Sequence, residues 1–226
     1  MATEDSFQTL NPSTSSLIMV DMQNDFVHPE GYYARVGLPI PDFDPTAARD
    51  AIPSMQKLLT AARQSGMFVV HTRIERESFL AALTRPRRVV PDSFSSRSDQ
   101  QRPLVSDTWG AQTIDELSPI EGEYVLQKYN YSSFYGTALE QVLRREGIDT
   151  VVIAGTVTYA CVLHTAFDAY VRDFDVVVAS DGVASWVPEL QKPAQRIVEL
   201  LLGSVQPVDE IVASLDRNAA TSALSR

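Results

Sequence analysis

The sequence predicts an α/β fold, a parallel sheet with helices on both of its faces. Short runs that are apolar throughout alternate along the chain with longer runs whose apolar residues recur at helical spacing. Strands without a polar side belong in a sheet buried on both faces, and alternation with helices makes that sheet parallel. The length of 226 residues fits one domain (1–226) with a full core.

Residues 17–21 form the first strand, Leu17-Ile18-Met19-Val20 ending at Asp21. Residues 46–64 have helical spacing, with Ile52, Met55, Leu58, Leu59 and Ala62 on one side. Asp44 before Pro45 is an N-cap followed by a first-turn proline, and Gly66 is the stop. Residues 67–72 are the second strand. Residues 73–122 are rich in Pro, Ser and Arg and read as irregular, a length that usually serves a site. Residues 123–128 make the third strand and 137–146 a helix ended by Gly147. Residues 150–154 are the fourth strand, followed by a helix at 161–170; residues 175–179 are the fifth. A helix at 189–202 ends at Gly203. A short sixth strand at 205–208 precedes a last helix at 209–215, with a frayed tail from residue 218.

Composition narrows the function. With 29 acidic residues against 19 basic ones the net charge is −10, which argues against a nucleic-acid partner. One cysteine leaves no disulfide framework and no zinc–cysteine cluster. The polar, acidic start lacks the basic flank and apolar core of a signal peptide, and no apolar run is long enough to span a membrane. A cytoplasmic protein without a membrane partner is expected.

In an open parallel sheet, ligands bind at the carboxyl ends of strands. Three such ends carry chemistry: Asp21 after the first strand, Lys128 after the third, and the turn from Gly155 to Cys161 after the fourth. A carbonyl-attacking thiolate needs a base to take and return a proton, a cation to favour charged states, and donors for the oxyanion. Asp21 supplies the base, Lys128 the cation, and the turn, with Val157 and Thr158 in it, the donors. A thiol at a strand-to-helix junction lies near the positive end of a helix, which favours thiolate. Arg73, ending the second strand, is a candidate clamp for a substrate carboxylate or ureido oxygen. Phe26, Trp109 and Tyr131 are candidate pocket walls. The run Arg85-Pro86-Arg87-Arg88 reads as a solvated loop or subunit contact.

At these residues the chain resembles the isochorismatase-like cysteine hydrolases, the superfamily of nicotinamidases, N-carbamoylsarcosine amidases and ureidoacrylate hydrolases. The matching segments are Val20-Asp21-Met22-Gln23-Asn24-Asp25-Phe26, Gln127-Lys128-Tyr129-Asn130-Tyr131-Ser132-Ser133-Phe134, Ala154-Gly155-Thr156-Val157-Thr158-Tyr159-Ala160-Cys161-Val162 and Ser180-Asp181-Gly182-Val183-Ala184. The resemblance runs from about residue 16 to 208. It implies a three-layer α-β-α fold with a six-stranded parallel sheet in order 3-2-1-4-5-6, an Asp21-Lys128-Cys161 triad, and a homodimer or homotetramer. It also implies a non-proline cis peptide at Val157–Thr158, turning the amides of Thr158 and Cys161 toward one oxyanion.

Two departures carry information. The usual family wording Thr-Asn-Val-Cys reads Thr158-Tyr159-Ala160-Cys161 here, so the bulkier Tyr159 reshapes the pocket or an interface. Nicotinamidases hold a metal with an Asp-x-His pair after the second strand, where this chain has His71-Thr72-Arg73-Ile74-Glu75. No metal and no cofactor are therefore expected, and His164 reads as a packed or capping residue. The expected activity is cysteine-dependent hydrolysis of a carbon–nitrogen bond in a small amide or ureido substrate, through a thioester. The alternatives are vinyl-ether hydrolysis of isochorismate, which needs no thiol, and a non-catalytic binding protein on the same fold.

Overall fold

The computed structural model describes residues 10–76 and 103–224. Six strands form one parallel sheet in the order β3-β2-β1-β4-β5-β6: β1 Ser15–Val20, β2 Phe68–Ile74, β3 Tyr124–Lys128, β4 Thr150–Thr156, β5 Asp175–Ala184 and β6 Gly203–Gln206. The strand order is the one the resemblance implied. The central strand β1 is buried from end to end, with Leu17, Ile18 and Val20 fully covered. Each such side chain contributes about 1.5–3 kcal/mol by leaving water.

Helices α1 (Asn24–Val27), α2 (Tyr32–Val36), α3 (Ile52–Ser65), α4 (Leu139–Arg145), α5 (Leu163–Tyr170), α6 (Gln191–Leu201) and α7 (Val208–Leu224) connect and cover the strands. The buried face of α3 is Ile52, Met55, Leu58, Leu59 and Ala62, as the spacing predicts. Asp44 caps as expected, its Oδ1 accepting from the Thr46 amide at 2.9 Å. The helix expected at 46–64 is divided, however. Residues Pro45–Ala51 form a 3-10 helix and α3 begins only at Ile52. Pro53 has no N–H to give to the carbonyl four residues before it, so the α-helix cannot continue back through this point.

Other boundaries move for readable reasons. β5 runs on to Ala184, because the chain slips register against β4 between Ile153 and Gly155 and pairs again at Val183 and Ala184. Gly203, expected to be a helix stop, opens β6. The last helix reaches Leu224 rather than ending near 215. The stretch expected to be irregular contains the end of β2 and two 3-10 turns, Trp109–Ala111 and Asp115–Leu117. The Arg85-Pro86-Arg87-Arg88 run lies outside the described residues.

Gly155 shows how closely the two central strands approach. Its φ is +115°, and a Cβ there would stand 2.1 Å from the Val20 carbonyl oxygen. Gly155→Ala is expected to cost about 3–5 kcal/mol, combining a disfavoured backbone with a backbone collision. A fall in the urea midpoint without a change in slope checks it.

Candidate active site

The register determines which side chains share a face at the carboxyl edge of the sheet. Val20 pairs with Thr72 and Ile74 with Lys128, so Thr72 and Lys128 project to the same side. Asp21, just past β1, would point away from them if the strand continued. Its left-handed φ of 50° breaks the alternation and brings its carboxylate back. Oδ1 then accepts from the Thr72 hydroxyl at 2.7 Å, and Oδ2 stands 2.7 Å from Lys128 Nζ. That second contact is an ion pair without hydrogen-bond alignment. Both residues are fully buried.

Lys128 also donates to the carbonyl oxygens of Asn130 and Tyr131 at 2.9 and 2.8 Å, so two hydrogen bonds and one ion pair hold it. A buried ammonium held this way stays where it is put. It is a fixed positive charge beside a fixed negative one.

Cys161 completes the cluster. It lies in a five-residue π-helical turn, Thr158–Val162, between β4 and α5. The residue is 4% exposed, and its thiol lies within electrostatic reach of the Asp21 carboxyl, the Lys128 ammonium and the Val157 amide. Burial pushes its pKa up, and the Asp21 charge adds to the push, while Lys128 and the Val157 amide oppose it. The expectation that the helix end favours thiolate is thus corrected. The sulfur precedes the first turn of α5 and is shut away from water, so desolvation dominates and the proton stays on sulfur at rest. The charge effects have opposite signs, which gives a test. The ultraviolet absorbance of the thiolate, followed against pH, is expected to show a lower midpoint in Asp21→Asn than in wild type, because the variant loses the charge that opposes ionisation.

The cis peptide is also displaced from its expected position. It joins Thr156 to Val157, one residue before the Val157–Thr158 bond expected from the sequence. β4 still pairs with β5 at Thr156, and the π turn already begins at Thr158, so Val157 is the junction. The turn is closed by the Ala160 and Val162 amides donating to the Val157 carbonyl. A side-chain hub absent from the sequence reading anchors it: Gln191 Oε1 accepts from the hydroxyls of Thr158 at 2.8 Å and Ser185 at 2.6 Å, and its Nε2 donates to the Val183 carbonyl. Thr72 was likewise missed.

The remaining candidates scatter. Phe26 is buried and its ring packs on Tyr33 and Trp186 at 5.4 and 5.3 Å. Trp109 is about half exposed and meets the edge of His28. Tyr131 is about half exposed against His164, whose Nδ1 lies 2.8 Å from the Ala160 carbonyl oxygen, in keeping with the capping role expected of it. Arg73 is not brought to the Asp21–Lys128 pair. It alternates with Thr72 to the opposite face and lies 3.2 Å from Glu75. A cavity of about 360 Å³ lies at the other, amino edge of the sheet, lined by Arg63, Met67, Phe68 and Glu123 among others. Its Arg63 and Glu123 charges are spent on one another, since Glu123 takes both a 2.7 Å and a 3.0 Å bond from Arg63.

Among the described residues no group of three or more His, Cys, Asp or Glu side chains is placed to hold a metal ion. No described helix is long and apolar enough to cross a membrane.

Residues 15–210 match the model of the isochorismatase domain family. A cysteine hydrolase from Pseudomonas syringae pv. phaseolicola 1448A superposes with a TM-score of 0.80 at 25% identity, over 96% of this chain and 100% of its own. The N-carbamoylsarcosine amidase of Thermoplasma acidophilum is 32% identical with a TM-score of 0.65, over 87% of this chain and 97% of its own. A nicotinamidase/pyrazinamidase from Bacillus subtilis is 25% identical with a TM-score of 0.66, over 85% and 100%.

Proposed function

The chain belongs to the isochorismatase domain family, and from that premise we propose that it is a cysteine-dependent hydrolase that cuts a carbon–nitrogen bond in a small amide or ureido compound. The observation that carries the reading is the buried Asp21–Lys128 pair against the Cys161 thiol. A lone carboxylate and a lone ammonium in a dry interior are costly; together, beside a nucleophile, they form a proton relay.

Asp21 takes the thiol proton as sulfur attacks the carbonyl carbon. Because the thiol is held protonated at rest, transfer accompanies attack rather than preceding it. The carbonyl oxygen becomes an oxyanion, and the amides of Thr158 and Cys161 meet it. The carbon–nitrogen bond breaks as Asp21 returns the proton to nitrogen, leaving a thioester on Cys161 and releasing ammonia or an amine. Water then attacks the thioester, giving its proton to Asp21; the acid leaves and the sulfur recovers its proton. A ureido substrate gives a carbamate, which loses carbon dioxide. Lys128 holds the carboxyl group in place as the proton comes and goes, and Thr72 fixes its other oxygen. The oxyanion is met by backbone amides, which the Gln191 hub holds in place through Thr158.

The test is a panel of small amides and ureido acids, scored for ammonia or amine release by wild type and by Cys161→Ser. Release by wild type from at least one member, lost in the variant, is the expected result. Equal release by both would remove the thioester from the mechanism. Pyruvate released from isochorismate, with no member of the panel cleaved, would favour the vinyl-ether reading instead.

A further inference from the structure

Among the described residues, the buried donor of Trp186 has nothing to donate to. The residue is 7% exposed, and its indole Nε1 has no hydrogen-bond partner among the described residues. Buried indoles usually find an acceptor, and an orphan in a folded protein calls for an explanation. The surroundings point to a ligand. Trp186 lies two residues beyond the last pairing of β5 with β4, Ala184 to Thr156, and therefore at the carboxyl edge that carries Asp21 and Cys161. Its neighbour Ser185 is bonded to the same Gln191 oxygen that holds Thr158 in the cysteine turn. Its ring packs on Tyr33 at 4.8 Å and on Phe26 at 5.3 Å. Phe26 follows Asp21 by five residues. The Tyr33 hydroxyl is kept protonated first by burial, and it feels Arg76, Tyr32, Asp25 and Cys161 around it.

We infer that Trp186 is a specificity-determining residue whose indole N–H donates to an oxygen acceptor on the substrate's acyl portion, remote from the bond that is cut. The substrate class is then an amide whose short acyl chain ends in a carboxylate or a second carbonyl. The aromatic rings wall the chain. The inference rests on the hydrolase reading for the identity of the ligand, but not for the existence of the donor.

The sequence has two tryptophans, Trp109 and Trp186, so an indole ¹H–¹⁵N spectrum shows two signals and Trp109→Phe assigns them. Cys161→Ala, which binds without turnover, is titrated with succinamate, succinamide and butyramide. A downfield shift of the Trp186 signal with succinamate, and none with butyramide, is expected. A matching shift with succinamide extends the class to neutral acceptors; its absence restricts the class to carboxylates. No shift with either acceptor-bearing amide overturns the inference.

A second arm reads activity. Replacing Trp186 by 3-benzothienylalanine keeps the ring and removes the N–H. The expected loss in kcat/KM is on the order of tenfold for succinamate relative to butyramide, the scale of one hydrogen bond. An equal change for both would mean that the ring only packs. Failure of wild type to release ammonia from any amide would sink the hydrolase reading while leaving the indole titration to be judged on its own.

Discussion

Cys161→Ala is expected to abolish hydrolysis of any accepted substrate, by a factor on the order of 10⁴ or more, while leaving the protein folded. The size follows from the role: removing the nucleophile forces direct attack by water and leaves only positioning and the backbone donors. The fold should persist because the change removes one sulfur from a small buried side chain whose turn is tied by Val157, Gln191 and Ser185 rather than by the thiol. Unchanged circular dichroism with lost turnover checks it. Substantial residual activity would move the chemistry to water activated by Asp21.

Lys128→Met is expected to damage stability and activity together. It leaves the fully buried Asp21 carboxylate with the Thr72 hydroxyl and no cation. Removing one member of a buried pair costs about 3–5 kcal/mol, which for a chain of this size lowers Tm by about 2–4 °C per kcal/mol. Asp21→Asn is gentler on the fold, since the amide oxygen still accepts from Thr72 and Lys128 keeps two carbonyl partners. It still removes the base, so turnover is expected to fall about 10²–10⁴-fold. The double variant Asp21→Asn/Lys128→Met should recover much of the lost stability and none of the activity. That non-additivity is the signature of a coupled pair, and simple addition of the two losses would contradict it.

How much of this was legible in the sequence depends on the range of the cause. Strands that are apolar on both faces, such as Leu17-Ile18-Met19-Val20 and Val151-Val152-Ile153-Ala154, announce a doubly covered sheet locally. The chemistry-bearing residues at their ends follow from the same pattern. Thr72 did not, because its meeting with Asp21 depends on strand register and on one left-handed dihedral, neither of which has a local signal. Gln191 was hidden for the same reason, being thirty residues from the cysteine turn it anchors. The helices α1 and α2 are too short and too interrupted by Pro29 and Gly31 to show periodicity. The ionisation of Cys161 was misjudged because a helix end is visible in sequence and burial is not. The dry environment decides the sign.

The proposed thioester can be looked for directly. Enzyme in excess is mixed with an accepted amide, quenched at times shorter than one turnover, digested and weighed by mass spectrometry. The expected result is one acyl group on the peptide that contains Cys161, rising and then falling as the acid forms. Acid appearing at its full rate while that peptide stays unmodified at every time point would contradict covalent catalysis by this sulfur.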